Sequence, residues 1–282
     1  MTSIQRQKAL VDHKNFCRSM AKQFMETLGR AFPPVPEITR KVISNAMDLY
    51  TASQKFILPE DGRLLDDPAF KALDETRPLN LPFPFIALEY TNQIKHINQG
   101  ESPSSKRIVF ARDREDGIVM TIVFYADIYH VWVVLPECYI PKVNYLNRKM
   151  KDRDGNVAIH MQCVDPSVPK SDLSGELGAL IGFLNALQCS NIHIEKSYPK
   201  KVNKKVKSAL PFDVYHILTV DLNHKLSDCL HLERPHRSPR EHLRRGHVRR
   251  YPNGISIWIN NTVVNAGKGF ARVDKDYRMV AQ

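Results

Sequence analysis

Apolar positions recur at helical spacing through the first third of the chain and mostly at strand spacing thereafter. Leu10, Phe16, Met20, Phe24 and Leu28 predict a helix within residues 4–31, stopped by Pro33 and Pro34. A second helix is expected from Pro36 to Leu58, carrying Ile38, Val42, Met47 and Leu49, with Pro59 as its stop. A short third helix is expected over 68–75. The pattern then changes. Leu81–Tyr90 predicts a buried strand entered through two prolines. Residues 106–112 and 118–126 read as strands around the turn Asp113–Gly117, and Tyr129–Leu135 continues the meander. A charged turn over 147–156 precedes a strand over 157–164. Leu173–Gln188 is the most apolar helix, with Leu177, Leu180, Ile181, Leu184 and Leu187, and is expected inside against the sheet. Val214–Leu222 reads as a further strand.

This order predicts an α+β fold: a helical N-terminal layer, an antiparallel sheet with one buried helix, and a C-terminal basic hairpin. Three regions follow from it. Residues 1–78 form the helical N-terminal region, 79–230 the α+β core, and 231–282 a basic segment and hairpin packing on that core.

Composition narrows the class. The chain has 282 residues, 43% hydrophobic and 25% charged, which excludes wholesale disorder, collagen and a coiled-coil rod. Apolar runs such as Ile118–Ala126 are about half of the roughly 20 residues that a helical membrane span needs, so no membrane partner is expected. The first residues, Met1-Thr-Ser-Ile-Gln-Arg-Gln-Lys, lack the apolar stretch of a signal peptide. Five cysteines are scattered without metal-knuckle spacing, as expected of reduced thiols in a cytoplasmic protein. The formal net charge of +11 favours a polyanionic neighbour such as RNA, DNA or the ribosome.

Much of the basic excess concentrates near the end. His231–Tyr251 holds seven Arg, four His and only two acidic residues. Ser238-Pro-Arg-Glu241 has the form of a capping box, which predicts two helical turns closed at Gly246. The competing reading is an extended arm, because two turns are marginal alone. Pro252-Asn253-Gly254 reads as a tight turn between Val248–Tyr251 and a strand in which Ile255, Ile257 and Ile259 alternate with Ser256 and Trp258. That hairpin presents arginines on both faces of its first strand.

The run Arg234-Pro-His-Arg-Ser-Pro-Arg-Glu-His-Leu-Arg-Arg-Gly-His247, the strand containing Trp258, and Val263-Val-Asn265-Ala-Gly267 resemble the ending of a phage and plasmid family. That family is the translation-dependent type V-A anti-CRISPR inhibitors. The likeness covers about 35 residues and is faint elsewhere, at 81–90 and 177–188. After Arg-Arg-Gly-His the family inhibitor has an aromatic and another histidine, whereas here Val248, Arg249 and Arg250 follow. The resemblance implies an anti-defence protein of a mobile element, acting in the cytoplasm of a bacterial host. It implies recognition of a target polypeptide as a nascent chain on the ribosome, followed by loss of its mRNA and lower production.

The residues that would carry binding are Arg240, His242, Arg244, Arg245, His247, Arg249, Arg250 and Trp258. Arginine forks bind phosphate bidentately and stack on bases, and Trp258 and Tyr251 offer stacking surfaces. The opposing reading pairs these arginines with acidic residues and buries Trp258 in the core. His236, Glu241, His242 and His247 match no established zinc spacing, so no metal is expected. Lys200, Lys201, Lys204, Lys205 and Lys207 read as a solvated face that could add to a polyanion footprint. No phosphate loop, dinucleotide fingerprint or nucleophile elbow is present, so no cofactor is expected and a binding protein is favoured over an enzyme. The alternatives are an RNA-binding protein or a metal-independent ribonuclease using the Arg/His block, with a general base and a phosphate clamp.

Overall fold

The computed structural model describes residues 15–29, 35–65, 73–92, 104–151, 157–159, 161–163, 173–198, 210, 213–220, 242–244, 247–259, 262–264 and 280–281. Helix α1 spans Phe16–Leu28 and buries Phe16, Cys17, Met20, Ala21 and Phe24, a single stripe at helical period. Helix α2 spans Glu37–Ala52 and buries Ile43, Ala46, Leu49 and Tyr50. Ile38 and Val42, on which the expected second helix partly rested, lie exposed instead.

The chain does not stay helical to Leu58. Ser53 is extended, and Gln54–Ile57 forms strand β1. Phe85–Thr91 (β2), Lys106–Asp113 (β3) and Gly117–Ala126 (β4) form an antiparallel meander. Val131–Val134 (β5) pairs with the end of β4, and Cys138–Pro141 (β6) with its beginning. Leu146–Lys151 (β7) and Val157–Ile159 (β8) form a separate ladder, and Gln162–Cys163 (β9) pairs with β6. Helix α3 spans Ser174–Leu187, close to its predicted bounds, and Ile192–Ser197 (β10) follows. Tyr215–Val220 (β11), His242–Arg244 (β12), His247–Arg250 (β13), Ser256–Ile259 (β14), Thr262–Val264 (β15) and Val280–Ala281 (β16) complete the strands. The third predicted helix falls partly outside the described residues, and its described part is not helical, with a turn over 75–77.

The main sheet runs β10-β11-β1-β2-β3-β4-β6-β9, with β16 beside β11 and β5 beside β4. It is mixed, which corrects the expected antiparallel sheet. β1 pairs in parallel with both β2 and β11, and β16 pairs in parallel with β11. A strand that arrives directly from a helix on one face, and whose neighbours are supplied from elsewhere in the chain, has no hairpin to impose antiparallel pairing.

Both faces of the sheet are covered. Ile86, Leu88 and Tyr90 share one core with Val109, Ile122 and the α3 residues Leu177, Leu180 and Leu184. Ala87, Ile108, Phe110 and Val123 face the other way and pack with α1, α2 and Trp132. The alternation along β2 and β3 is therefore apolar on both sides, the pattern of a strand buried between two helical layers. Each such Leu, Ile or Phe contributes about 1.5–3 kcal/mol. α3 is buried nearly all round, and Glu176 in its first turn accepts a 2.7 Å bond from Arg107 Nε of β3, tying the helix start to the sheet.

Candidate functional site

The turn Pro252–Gly254 is built as its residue types demand. Gly254 takes φ +84, Gly254 N–H donates to Tyr251 O, and Ile255 N–H donates to the Asn253 side chain. The register of β13 on β14 pairs His247 with Ile259, Val248 with Trp258, Arg249 with Ile257 and Arg250 with Ser256. Residues directly opposite share a face. Val248, Trp258, Arg250 and Ser256 thus lie on one face, and Arg249 on the other.

The first of these faces turns into the molecule. Trp258 is 5% exposed and belongs to the α3 core, with Val248 packed against it. An indole so enclosed offers no open surface for stacking, so Trp258 is placed as a core residue. The backbone of β14 is fastened to the turn after α3. Ser190 N–H donates to Ser256 O at 2.8 Å, and Asn191 exchanges two 2.8 Å bonds with the Trp258 backbone. Arg77 closes the other end, donating to Gly254 O at 3.0 Å and to Ser256 Oγ at 3.3 Å while lying 3.5 Å from Asp74.

The two arginines of β13 consequently differ. Arg250 is half-buried and lies within electrostatic reach of Asp74, Tyr145 and Cys189. Hydrogen bonds from Thr76 hold the Asp74 carboxyl below its ordinary range, and Arg77 and Arg250 add to that. Arg249 is exposed, its guanidinium 5.1 Å from the centre of the Tyr251 ring. His242 and Arg244 are strand residues of β12, paired with Val264 and Thr262, and His247 opens β13. Residues 242–244 are therefore extended, which corrects the helical alternative for that part of the block. Arg240 and Arg245, like the lysine run 200–207, lie outside the described residues.

A second cluster went unread in the sequence. Glu89 is fully buried and receives Phe16 N–H at 3.0 Å, Cys17 N–H at 2.8 Å and Tyr215 O–H at 2.8 Å. It caps the start of α1, where Asn15 makes no side-chain cap bond. Burial pushes the Glu89 carboxyl up, and these hydrogen bonds oppose the shift. Nearby, Lys55 Nζ donates to Tyr50 O at 2.8 Å and lies 3.4 Å from Asp213. No substrate reaches a carboxylate sealed between helix and sheet, so Glu89 joins α1, β2 and β11 structurally. The legible signal was a lone carboxylate inside the apolar run of 85–91.

Among the described residues, no group of three or more His, Cys, Asp or Glu is arranged to hold a metal ion. No helix among them is long and apolar enough to cross a membrane. An open groove of about 540 Å³ runs between Pro78–Pro82, the end of α3 and the start of β10. The chain matches no family model, no curated protein and no solved structure.

Proposed function

We propose that this protein is an anti-defence factor of a mobile genetic element, similar to the translation-dependent type V-A anti-CRISPR inhibitors. In this reading it recognises a target polypeptide during its synthesis in the bacterial cytoplasm and lowers its production, with the C-terminal hairpin in contact with RNA. The reading draws on the Arg-Arg-Gly-His run with its following Trp strand, and on the net charge of +11. The observation that carries it is the exposed Arg249 beside Tyr251, held on a hairpin whose other face is fastened to the core. An arginine on a fixed mount loses little freedom when it meets a phosphate or a base.

The test is capture of the tagged full-length protein from expressing bacteria, followed by sequencing of the RNA and ribosomes retained. Enrichment of particular coding sequences, reduced by Arg249→Ala, is the expected result. Retention of no coding sequence above background overturns the proposal.

A further inference from the structure

Strand β9 is two residues long and meets β6 with Cys163 directly opposite Cys138. Their sulfur atoms are 3.2 Å apart. Directly opposed residues of an antiparallel pair are spaced close to what a disulfide requires, and bond formation here calls for about 1 Å of further sulfur approach. The other described thiols have different surroundings: Cys17 lies against Glu89, and Cys189 faces the Asn185 carbonyl. The geometry points to a covalent modification site: we propose that Cys138 and Cys163 are joined in a reversible disulfide by two-electron oxidants of the peroxide class.

The two sulfurs differ in access. Cys138 is 1% exposed, whereas Cys163 is half-buried. Burial, helped by the neighbouring thiol, pushes Cys138 up to about 12, so it keeps its proton at neutral pH. Cys163 therefore meets the oxidant first. Its sulfur attacks one peroxide oxygen, the O–O bond breaks, and water leaves, giving the sulfenic acid. The Cys138 sulfur then attacks the Cys163 sulfur, its proton leaves with the hydroxyl as a second water, and the S–S bond forms. Two thiols and one hydrogen peroxide yield one disulfide and two waters. The Cys138 sulfur, 3.2 Å away, is the nearest described thiol to the sulfenic acid. The bond ties the last strand of the sheet to β6 and closes a loop containing β7 and β8, which removes freedom from the unfolded chain.

The experiment uses the full-length protein, reduced, desalted and treated with hydrogen peroxide near stoichiometry, then unfolded in guanidinium chloride and blocked with a maleimide. Two of the five cysteines should escape alkylation, and peptide mapping should recover a Cys138–Cys163 crosslink. The melting midpoint should rise by several degrees and return with dithiothreitol. Cys163→Ser and, separately, Cys138→Ala should abolish both changes. Alkylation of all five cysteines, a crosslink mapping to another pair, or Cys163 proceeding to sulfinic acid without a crosslink overturns the proposal. The wild-type mass measurement decides this even where a variant fails to fold.

Discussion

Asn191 bonds both backbone groups of Trp258, its amide nitrogen donating to the Trp258 carbonyl and its amide oxygen accepting the Trp258 N–H, each at 2.8 Å. One side chain thus acts as a further strand for β14. With Ser190 and Arg77 it fastens β14 at three successive points of its backbone and turn.

Asn191→Ala leaves a buried N–H and a buried carbonyl without this partner. The expected loss is about 2–6 kcal/mol, since unsatisfied buried groups each cost about 1–3 kcal/mol. Urea denaturation should show a lower midpoint, and amide exchange should accelerate at Trp258. An unchanged midpoint would mean that packing of the indole alone holds the hairpin.

Arg249→Ala and Arg250→Ala should separate. Arg249 is exposed, and its removal should cost under about 0.5 kcal/mol. Arg250 lies near Asp74, and its removal should lower the melting midpoint more. In the proposed reading, Arg249→Ala also weakens RNA binding and lowers the salt slope by about 1. Filter retention at several salt concentrations measures this. An Arg249→Ala protein that melts lower yet binds RNA normally would assign that arginine to structure.

His216 provides a pH signature. It is buried beside Phe56 and Phe83, and burial lowers its pKa below the ordinary value, outweighing a hydrogen bond to the Lys55 carbonyl. The unfolded chain takes up this proton near pH ~6.5. Its contribution to stability is therefore complete above that pH and is lost as pH falls through the lower folded value. His216→Phe should flatten this part of the profile when denaturation midpoints are compared between pH 7 and 5. Identical slopes in the two proteins would assign the pH dependence to other groups.

Gly62 has φ +64, and a Cβ there would lie 2.6 Å from Ala179 Cβ of α3 and 3.1 Å from the Tyr90 ring. Gly62→Ala should therefore destabilise through both the backbone and the helix contact, by roughly 2–4 kcal/mol. Calorimetry should show a clear drop in the melting midpoint, whereas Gly178→Ala, with open space at its Cβ, should not.

Elements defined by their own neighbours were legible in the sequence. The apolar run of α3, the 113–117 turn and the strand leading into 85–91 announce themselves locally. β1 does not. Gln-Lys-Phe-Ile continues the helical spacing of α2, and only pairing with β2 on one side and with Tyr215 and His216, far along the chain, on the other makes it a strand. The same holds at the hairpin. Alternation places Val248 with Trp258 and Arg249 with Ile257, but the hairpin is fastened by Asn191 and Arg77, which no periodicity connects to residues 247–259. Glu89 was visible as an anomaly, yet its role required knowing that α1 begins above it.

The position of β1 sets a timetable for synthesis. Its backbone is flanked on one side by β2, made soon after it, and on the other by β11, made far later in the chain. At ribosomal rates of about 5–20 residues per second, one edge of β1 waits on the order of ten seconds for Tyr215 to emerge. During that interval the growing chain carries an open parallel-pairing edge, which invites aggregation. Lys55 sits in that edge, and a charged side chain there guards the waiting strand before Asp213 arrives to neutralise it.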